Sequence, residues 1–300
     1  MTDQSSFRLL DSPSAELGEG PVWDALSQTL VWVDITQRRL FRYWSADDRV
    51  EAHVLGSAIG AAALTVDDTW VLALEDGFWT ADIELQKPRH LNRPAALVPG
   101  LRMNDGKVDP WGRFWAGSMA YDGTPGVGEL YRLDPDGGVT VVLRGLGISN
   151  GLDWSPDGRS FYFIDSLDSA IYSFALEPAS GVIRDRRTLL KVPASQGMPD
   201  GLTVDSDGHI WVAFWGGSAV RRYDPSGVLE QTITLPVKQV TSCTFGGAKL
   251  DQLFVTTAAF QLTAEQKERQ PLAGRVFRLE PGVTGLARRR FGRDSQVAPR

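Results

Sequence analysis

Apolar residues in this chain fall in short extended runs, and the runs recur. A short run ending in an Asp-Gly type of turn precedes an aromatic-rich strand, which a second strand follows. The aromatic-rich strands are Leu30-Val31-Trp32-Val33-Asp34, Trp70-Val71-Leu72-Ala73, Phe114-Trp115-Ala116-Gly117, Phe161-Tyr162-Phe163-Ile164-Asp165, Ile210-Trp211-Val212-Ala213 and Leu253-Phe254-Val255-Thr256. Aligned on Trp32, Val71, Trp115, Tyr162, Trp211 and Phe254, they step by 39 to 49 residues, the period of a propeller blade. The strands that follow, such as Leu40-Phe41-Arg42-Tyr43 and Leu130-Tyr131-Arg132-Leu133, alternate apolar with polar residues, as a strand with one buried face does. Turns such as Asp134-Pro135-Asp136-Gly137 and Ser155-Pro156-Asp157-Gly158 close the units.

The pattern predicts an all-β chain folded as a six-bladed β-propeller. Six copies in 300 residues leave no room for a second domain, so residues 1–300 are expected to form one domain. Phe7-Arg8-Leu9-Leu10 is the expected extra strand that completes the last blade, whose edge would otherwise be open. The one helix expected is Thr263 to Arg269, with Thr263 as N-cap and Gln266 three residues on. Residues 283–300, with Arg288-Arg289-Arg290, read as a partly loose, solvated C-terminal tail.

Composition narrows the function classes. The chain is 42% hydrophobic and 23% charged with a net charge of −6, and has no basic run before Arg288. That leaves no footprint for a polyanion, so nucleic acid is not an expected partner. Met1 to Leu10 lacks a basic region followed by an apolar run, and no apolar stretch is long enough to span a bilayer. A cytoplasmic location without a membrane or protein partner is expected. The single cysteine, Cys243, rules out an internal disulfide and any multi-cysteine metal site; it reads as a small buried residue.

In a propeller the first strand of each blade borders the central channel, so equivalent positions converge on the axis. Four residues before the apolar anchor of that strand stand Glu19 (before Trp23), Asn104 (before Val108), Asn150 (before Trp154) and Asp200 (before Val204). Each Asn-Gly or Asp-Gly taken alone is a turn signal, but a turn has no reason to keep one offset in four blades. Adjacent glycines let the backbone crowd the channel. Two carboxylates forced together there need a cation or a proton. Oxygen donors alone suit a hard divalent cation, with Ca²⁺ favoured and Mn²⁺, Mg²⁺, Zn²⁺ or Fe²⁺ as alternatives. His53, His90 and His209 share no such offset. Arg102 lies two residues before Asn104 and, in an extended strand, on the same face.

These residues resemble the SMP-30/gluconolactonase/regucalcin family of six-bladed propeller lactonases. The resemblance runs from Leu17-Gly18-Glu19-Gly20-Pro21-Val22-Trp23 through Arg102-Met103-Asn104-Asp105-Gly106, Ser149-Asn150-Gly151-Leu152 and Pro199-Asp200-Gly201 to Pro271-Leu272-Ala273-Gly274. It implies that Glu19, Asn150 and Asp200 hold the divalent cation and that Arg102 and Asn104 contact a sugar lactone. The family often carries a glutamate after its Gly-Ser/Thr-Met stretch. Here Gly117-Ser118-Met119-Ala120 is followed by Tyr121-Asp122, and Asp122 is the candidate replacement with a shorter reach. The expected reaction is hydrolysis of an aldonolactone to its aldonic acid in carbohydrate catabolism, with Asp200 as general base. Two rival readings remain: a metal-dependent hydrolase of other esters or organophosphates, and a non-catalytic propeller that binds calcium or a partner.

Overall fold

The computed structural model describes residues 7–293. Six four-stranded antiparallel sheets follow one another as the blades of a six-bladed β-propeller. Their innermost strands are Gly18–Asp24, Ile59–Leu64, Leu101–Val108, Ser149–Trp154, Met198–Val204 and Val240–Gly246, in blades one to six. Each strand pairs with the next in sequence, as short turns dictate. In blade six the outermost strand is Arg8–Leu9, paired with Phe277–Leu279. The chain start thus completes the blade formed near its end, and Phe7 sets its ring edge-on to Phe277 at 5.0 Å. Thr263 caps the Ala264–Arg269 helix through a reciprocal capping box with Gln266.

The core is divided among the spaces between blades. Each apolar cluster draws on two neighbouring sheets, as Trp115, Trp154 and Phe161 do between blades three and four. Facing aromatics couple successive blades: Trp23 stacks on Phe254 at 5.5 Å, Trp115 meets Trp154 edge-on at 5.7 Å, and Trp211 meets Phe245 at 5.8 Å. Such pairs add about 1 kcal/mol each beyond the area they bury. Cys243 is buried in this packing, and desolvation pushes its thiol up to about 12.

The turn after the innermost strand carries a repeated staple. Asp109 accepts from the backbone N–H of Trp111 and Arg113 and from the Trp115 indole at 2.9 Å. Asp205 does the same with Asp207, His209 and the Trp211 indole, and also takes the Arg222 guanidinium at 2.8 Å. His209 is partly buried and bonds Glu230 rather than lying free on the surface. Among the described residues no helix is long and apolar enough to cross a membrane.

For residues 284–292, the first part of the C-terminal tail, the structure corrects the expectation of a loose end. Residues 284–292 run across the end of the channel where the innermost strands finish. Gly285 bridges to Asp205 in blade five, Phe291 to Thr65 in blade two, and Gly292 donates to the Gly112 carbonyl of blade three. Arg288 reaches into the channel and forms a two-pronged bond to Asp153, which is fully buried. Arg290 grips Asp24 through two bonds of 2.8 Å. Buried carboxylates without partners cost several kcal/mol, so these two arginines are held rather than solvated. Residues 294–300 lie outside the described residues.

Candidate functional site

All six innermost strands are irregular where they begin. The register slips between Glu19 and Val22, Met103 and Gly106, Ser149 and Leu152, and Pro199 and Leu202, with matching slips in blades two and six. A bulge re-aims the side chains at its position, and at these bulges or beside them stand Glu19, Asn104, Asn150 and Asp200. Gly20 takes the left-handed conformation, with φ of 52°, which only glycine adopts freely. Gly151 is required by proximity, because a Cβ there would lie 2.6 Å from the Asp200 carbonyl oxygen.

The structure brings Glu19, Arg102, Asn104, Asn150 and Asp200 together, all buried. Arg102 donates to the Asn104 amide oxygen at 2.6 Å. Asn104 passes its own N–H to the Asn150 amide oxygen at 3.0 Å and to the Ser149 carbonyl at 2.8 Å. Asn150 donates to Ser166 at 2.9 Å, and Ser166 donates to the Pro199 carbonyl at 2.7 Å, beside Asp200. This relay fixes the amide rotamers, leaving the Asn150 amide oxygen a second lone pair for another partner.

Burial raises both carboxyls of Glu19 and Asp200; the Asp105 charge adds to the rise of Glu19, to about 8, and the Glu19 and Asp105 charges add to that of Asp200. The oxygen Oδ1 of Asp200 is buried with no hydrogen-bond partner. An orphaned carboxylate oxygen beside a second carboxylate and an amide oxygen fits a hard divalent cation, which would satisfy the orphan and remove the repulsion. Glu19, Asn150 and Asp200 could together hold it. A cluster of carboxylates and a histidine with metal-ligand spacing among the described residues, Asp205, Asp207 and His209, fits a cation less well, because the Arg222 cation and three N–H donors already occupy the Asp205 carboxylate.

Asp122 is not brought to this site. It is exposed and spends its carboxylate on Thr124, accepting from the backbone N–H at 2.9 Å and the hydroxyl at 2.7 Å, bonds that lower its pKa. The strand Phe114–Ala120 ends just before it, and the turn at Gly123 carries Asp122 outward. Its neighbour Tyr121 takes the place instead. The Tyr121 N–H bonds Gly100, and its ring lies 5.8 Å from the Arg102 guanidinium carbon.

Three further groups escaped the sequence reading. Asp105 is buried beside Asn104 and raised to about 6 by desolvation. Strict alternation assigns it to the opposite face from Asn104, and only the bulge overturns that. Lys107 is buried deeper in the channel, where it donates to the Leu202 carbonyl at 2.8 Å and faces Asp153 at 3.4 Å. Glu75, in the turn after Trp70–Leu74 of blade two, acts electrostatically on Arg102. The signal for Lys107 was its place on the same alternating run as Asp105; Glu75 had none, because its turn is distant in sequence from every other member.

A family model described as the SMP-30/Gluconolactonase/LRE-like region matches residues 17–259, which include every site residue named above. A regucalcin of Xenopus laevis is 38% identical over 283 residues, covering 92% of this chain and 95% of that protein. YvrE of Bacillus subtilis (strain 168), named as a candidate sugar lactone lactonase, is 35% identical over 272 residues, covering 89% and 93%. A crystal structure of a calcium-binding protein, regucalcin, from Agrobacterium tumefaciens is similar at a TM-score of 0.92 and 30% identity over 96% of this chain and 97% of that one.

Proposed function

The chain belongs to the SMP-30/gluconolactonase/LRE-like family, and from that premise we propose that it is a lactonase that opens a sugar lactone with the help of one divalent cation. The observation that carries this reading is the orphaned Asp200 Oδ1, buried against Glu19 and close to Arg102. The names of the relatives support it: one is a candidate sugar lactone lactonase, and another is a calcium-binding protein.

Glu19, Asn150 and Asp200 would hold a divalent cation, which would supply Lewis-acid polarisation of the lactone carbonyl. The chain's own groups do the rest. Asp200 accepts a proton from the attacking water as the new C–O bond forms at the lactone carbonyl carbon. Arg102, desolvated in the channel, stabilises negative charge developing on the carbonyl oxygen more strongly than it could in water. When the ring C–O bond breaks, the proton on Asp200 passes to the departing ring oxygen, so lactone and water give one hydroxy acid. Asn104 orients sugar hydroxyls, its rotamer being locked by Ser149 and Asn150.

The test is a pH-stat panel of aldonolactones and a phosphotriester, run after chelation and with each cation restored. Wild type is expected to open at least one aldonolactone in a cation-dependent way and to leave the phosphotriester intact. Asp200→Asn is expected to lose at least about a hundredfold in turnover. Wild-type turnover in Asp200→Asn at saturating cation would refute the assignment.

A further inference from the structure

Lys107 is a buried cation that the hydrolytic reading does not use. It stands on Leu101–Val108, the strand that carries Arg102 and Asn104, where its backbone is fixed by pairing with Trp115. Its ammonium crosses to blade five and donates to the Leu202 carbonyl at 2.8 Å. Leu202 is the first residue to rejoin the ladder after the slip that frees Asp200 and Gly201. Blade four supplies the counter-charge, with Asp153 3.4 Å from the ammonium.

Burying an ammonium is costly unless it is paired and hydrogen-bonded. An apolar side chain of equal length would fill the same space without that cost. What only the ammonium supplies is a directed bond from the strand bearing Arg102 to the strand bearing Asp200. The other anchors of this stretch act elsewhere. Ser166 donates to the Pro199 carbonyl at 2.7 Å on the near side of Asp200, and Asp153 accepts from the Val204 N–H at 2.9 Å, two residues beyond the Lys107 bond.

Resting on the reading that Asp200 helps to hold the cation, we infer that Lys107 is a positioning residue, which fixes the cation-holding carboxylate of Asp200 relative to the substrate-contacting pair Arg102 and Asn104. Residues freed by a bulge lack ladder bonds of their own, so the carboxylate takes its aim from the bonds on either side of it. Losing a partner that orients a metal's donors costs about tenfold or more in affinity.

Charge and position act on the cation in opposite directions here. Removing a positive charge from the channel makes it more attractive to a divalent ion, so electrostatics alone predicts tighter binding in Lys107→Met. Loss of position predicts weaker binding.

The experiment compares wild type, Lys107→Met, Lys107→Gln and Arg288→Ala. Arg288→Ala takes a cation from the same Asp153 carboxylate while leaving the Lys107 bond to Leu202 in place. Ca²⁺ binding is measured by calorimetry, and hydrogen exchange of the amides within residues 198–204 is followed in the cation-free proteins.

In Lys107→Met, Ca²⁺ is expected to bind about tenfold more weakly and those amides to exchange about tenfold faster, with Lys107→Gln between it and wild type. Arg288→Ala is expected to bind Ca²⁺ at least as tightly as wild type, despite its lower stability. Unchanged or tighter binding in Lys107→Met, or equal weakening in Arg288→Ala, overturns the inference. Should Lys107→Met fail to fold, Lys107→Gln decides by the same criterion. Should wild type bind no Ca²⁺, the cation reading fails, and the exchange arm still decides whether Lys107 orders the Asp200 strand.

Discussion

Asp200 is where the chemistry of single residues is most exposed to test. Its carboxyl and that of Glu19 are raised above the ordinary carboxylate range, Glu19 to about 8, because burial disfavours the charge on each and the neighbouring Asp105 charge, joined at Asp200 by that of Glu19, opposes it further. A folded-state pKa above the unfolded value near 4.3 means that the folded protein holds more protons across that window. Stability of the cation-free protein should therefore fall as pH rises from about 4 toward 8, and cation binding, which displaces those protons, should tighten over the same range. Urea unfolding at pH 5 to 8.5, with chelator and with added Ca²⁺, checks both. A cation-free protein as stable at pH 8 as at pH 5 would contradict the shared burial of the two carboxyls. Glu19, Asn104, Asn150 and Asp200 were legible in the sequence because one offset repeated. Asp105 was not, since its face depends on a bulge that alternation does not encode.

At the scale of the strand, the repeated irregularity at the start of each innermost strand aims the site. Bulges free two successive residues from the ladder, and glycine beside them lets neighbouring strands approach within contact distance of the polar groups. Gly151→Ala places a methyl group against the backbone of Asp200, Gly201 and Leu202, where nothing flexible can yield. A loss of about 2 kcal/mol in unfolding free energy is expected, together with weaker cation binding, because the displaced strand is the one carrying Asp200. Denaturant titration and calorimetry with Ca²⁺ measure the two effects; stability and affinity both unchanged would show that the close approach is relaxed at no cost. The turn element after Phe114–Ala120 teaches the complementary lesson. Sequence spacing offered Asp122, but the last residues of the strand fix which side chain faces inward, and Tyr121 is the one that does.

Across the whole molecule, the ring is closed twice. The Arg8–Leu9 strand completes blade six, and residues 284–292 tie the blades together at the end of the channel away from the site. Arg288 and Lys107 both face Asp153, which is held below the usual carboxylate range by these cations against its own desolvation. Arg288→Ala should destabilise the protein by about 3 kcal/mol, since the buried Asp153 carboxylate loses its two-pronged partner and keeps only Lys107, and adding Asp153→Asn should recover part of the loss. The sign of the pH effect follows from the lowered pKa: the pair's contribution is fully present above about 3.9, declines as pH falls below that value, and is lost once pH falls through the lower folded-state pKa. Urea unfolding of the three proteins at pH 7 and pH 3.5 is the measurement, and equal stability of Arg288→Ala and wild type at pH 7 would refute the role assigned to the tail. By itself the sequence determined the six-fold repeat, the strand that completes the last blade, the capped helix and the polar offset on the axis, because each is written in local spacing that any copy of the unit must obey. Only the tertiary structure decided that Arg288 and Arg290 are buried partners rather than a solvated tail, that Tyr121 faces Arg102 while Asp122 turns away, and that Glu75 acts on Arg102 from another blade. Those depend on which distant charges and surfaces meet once the ring closes, and no local pattern records that meeting.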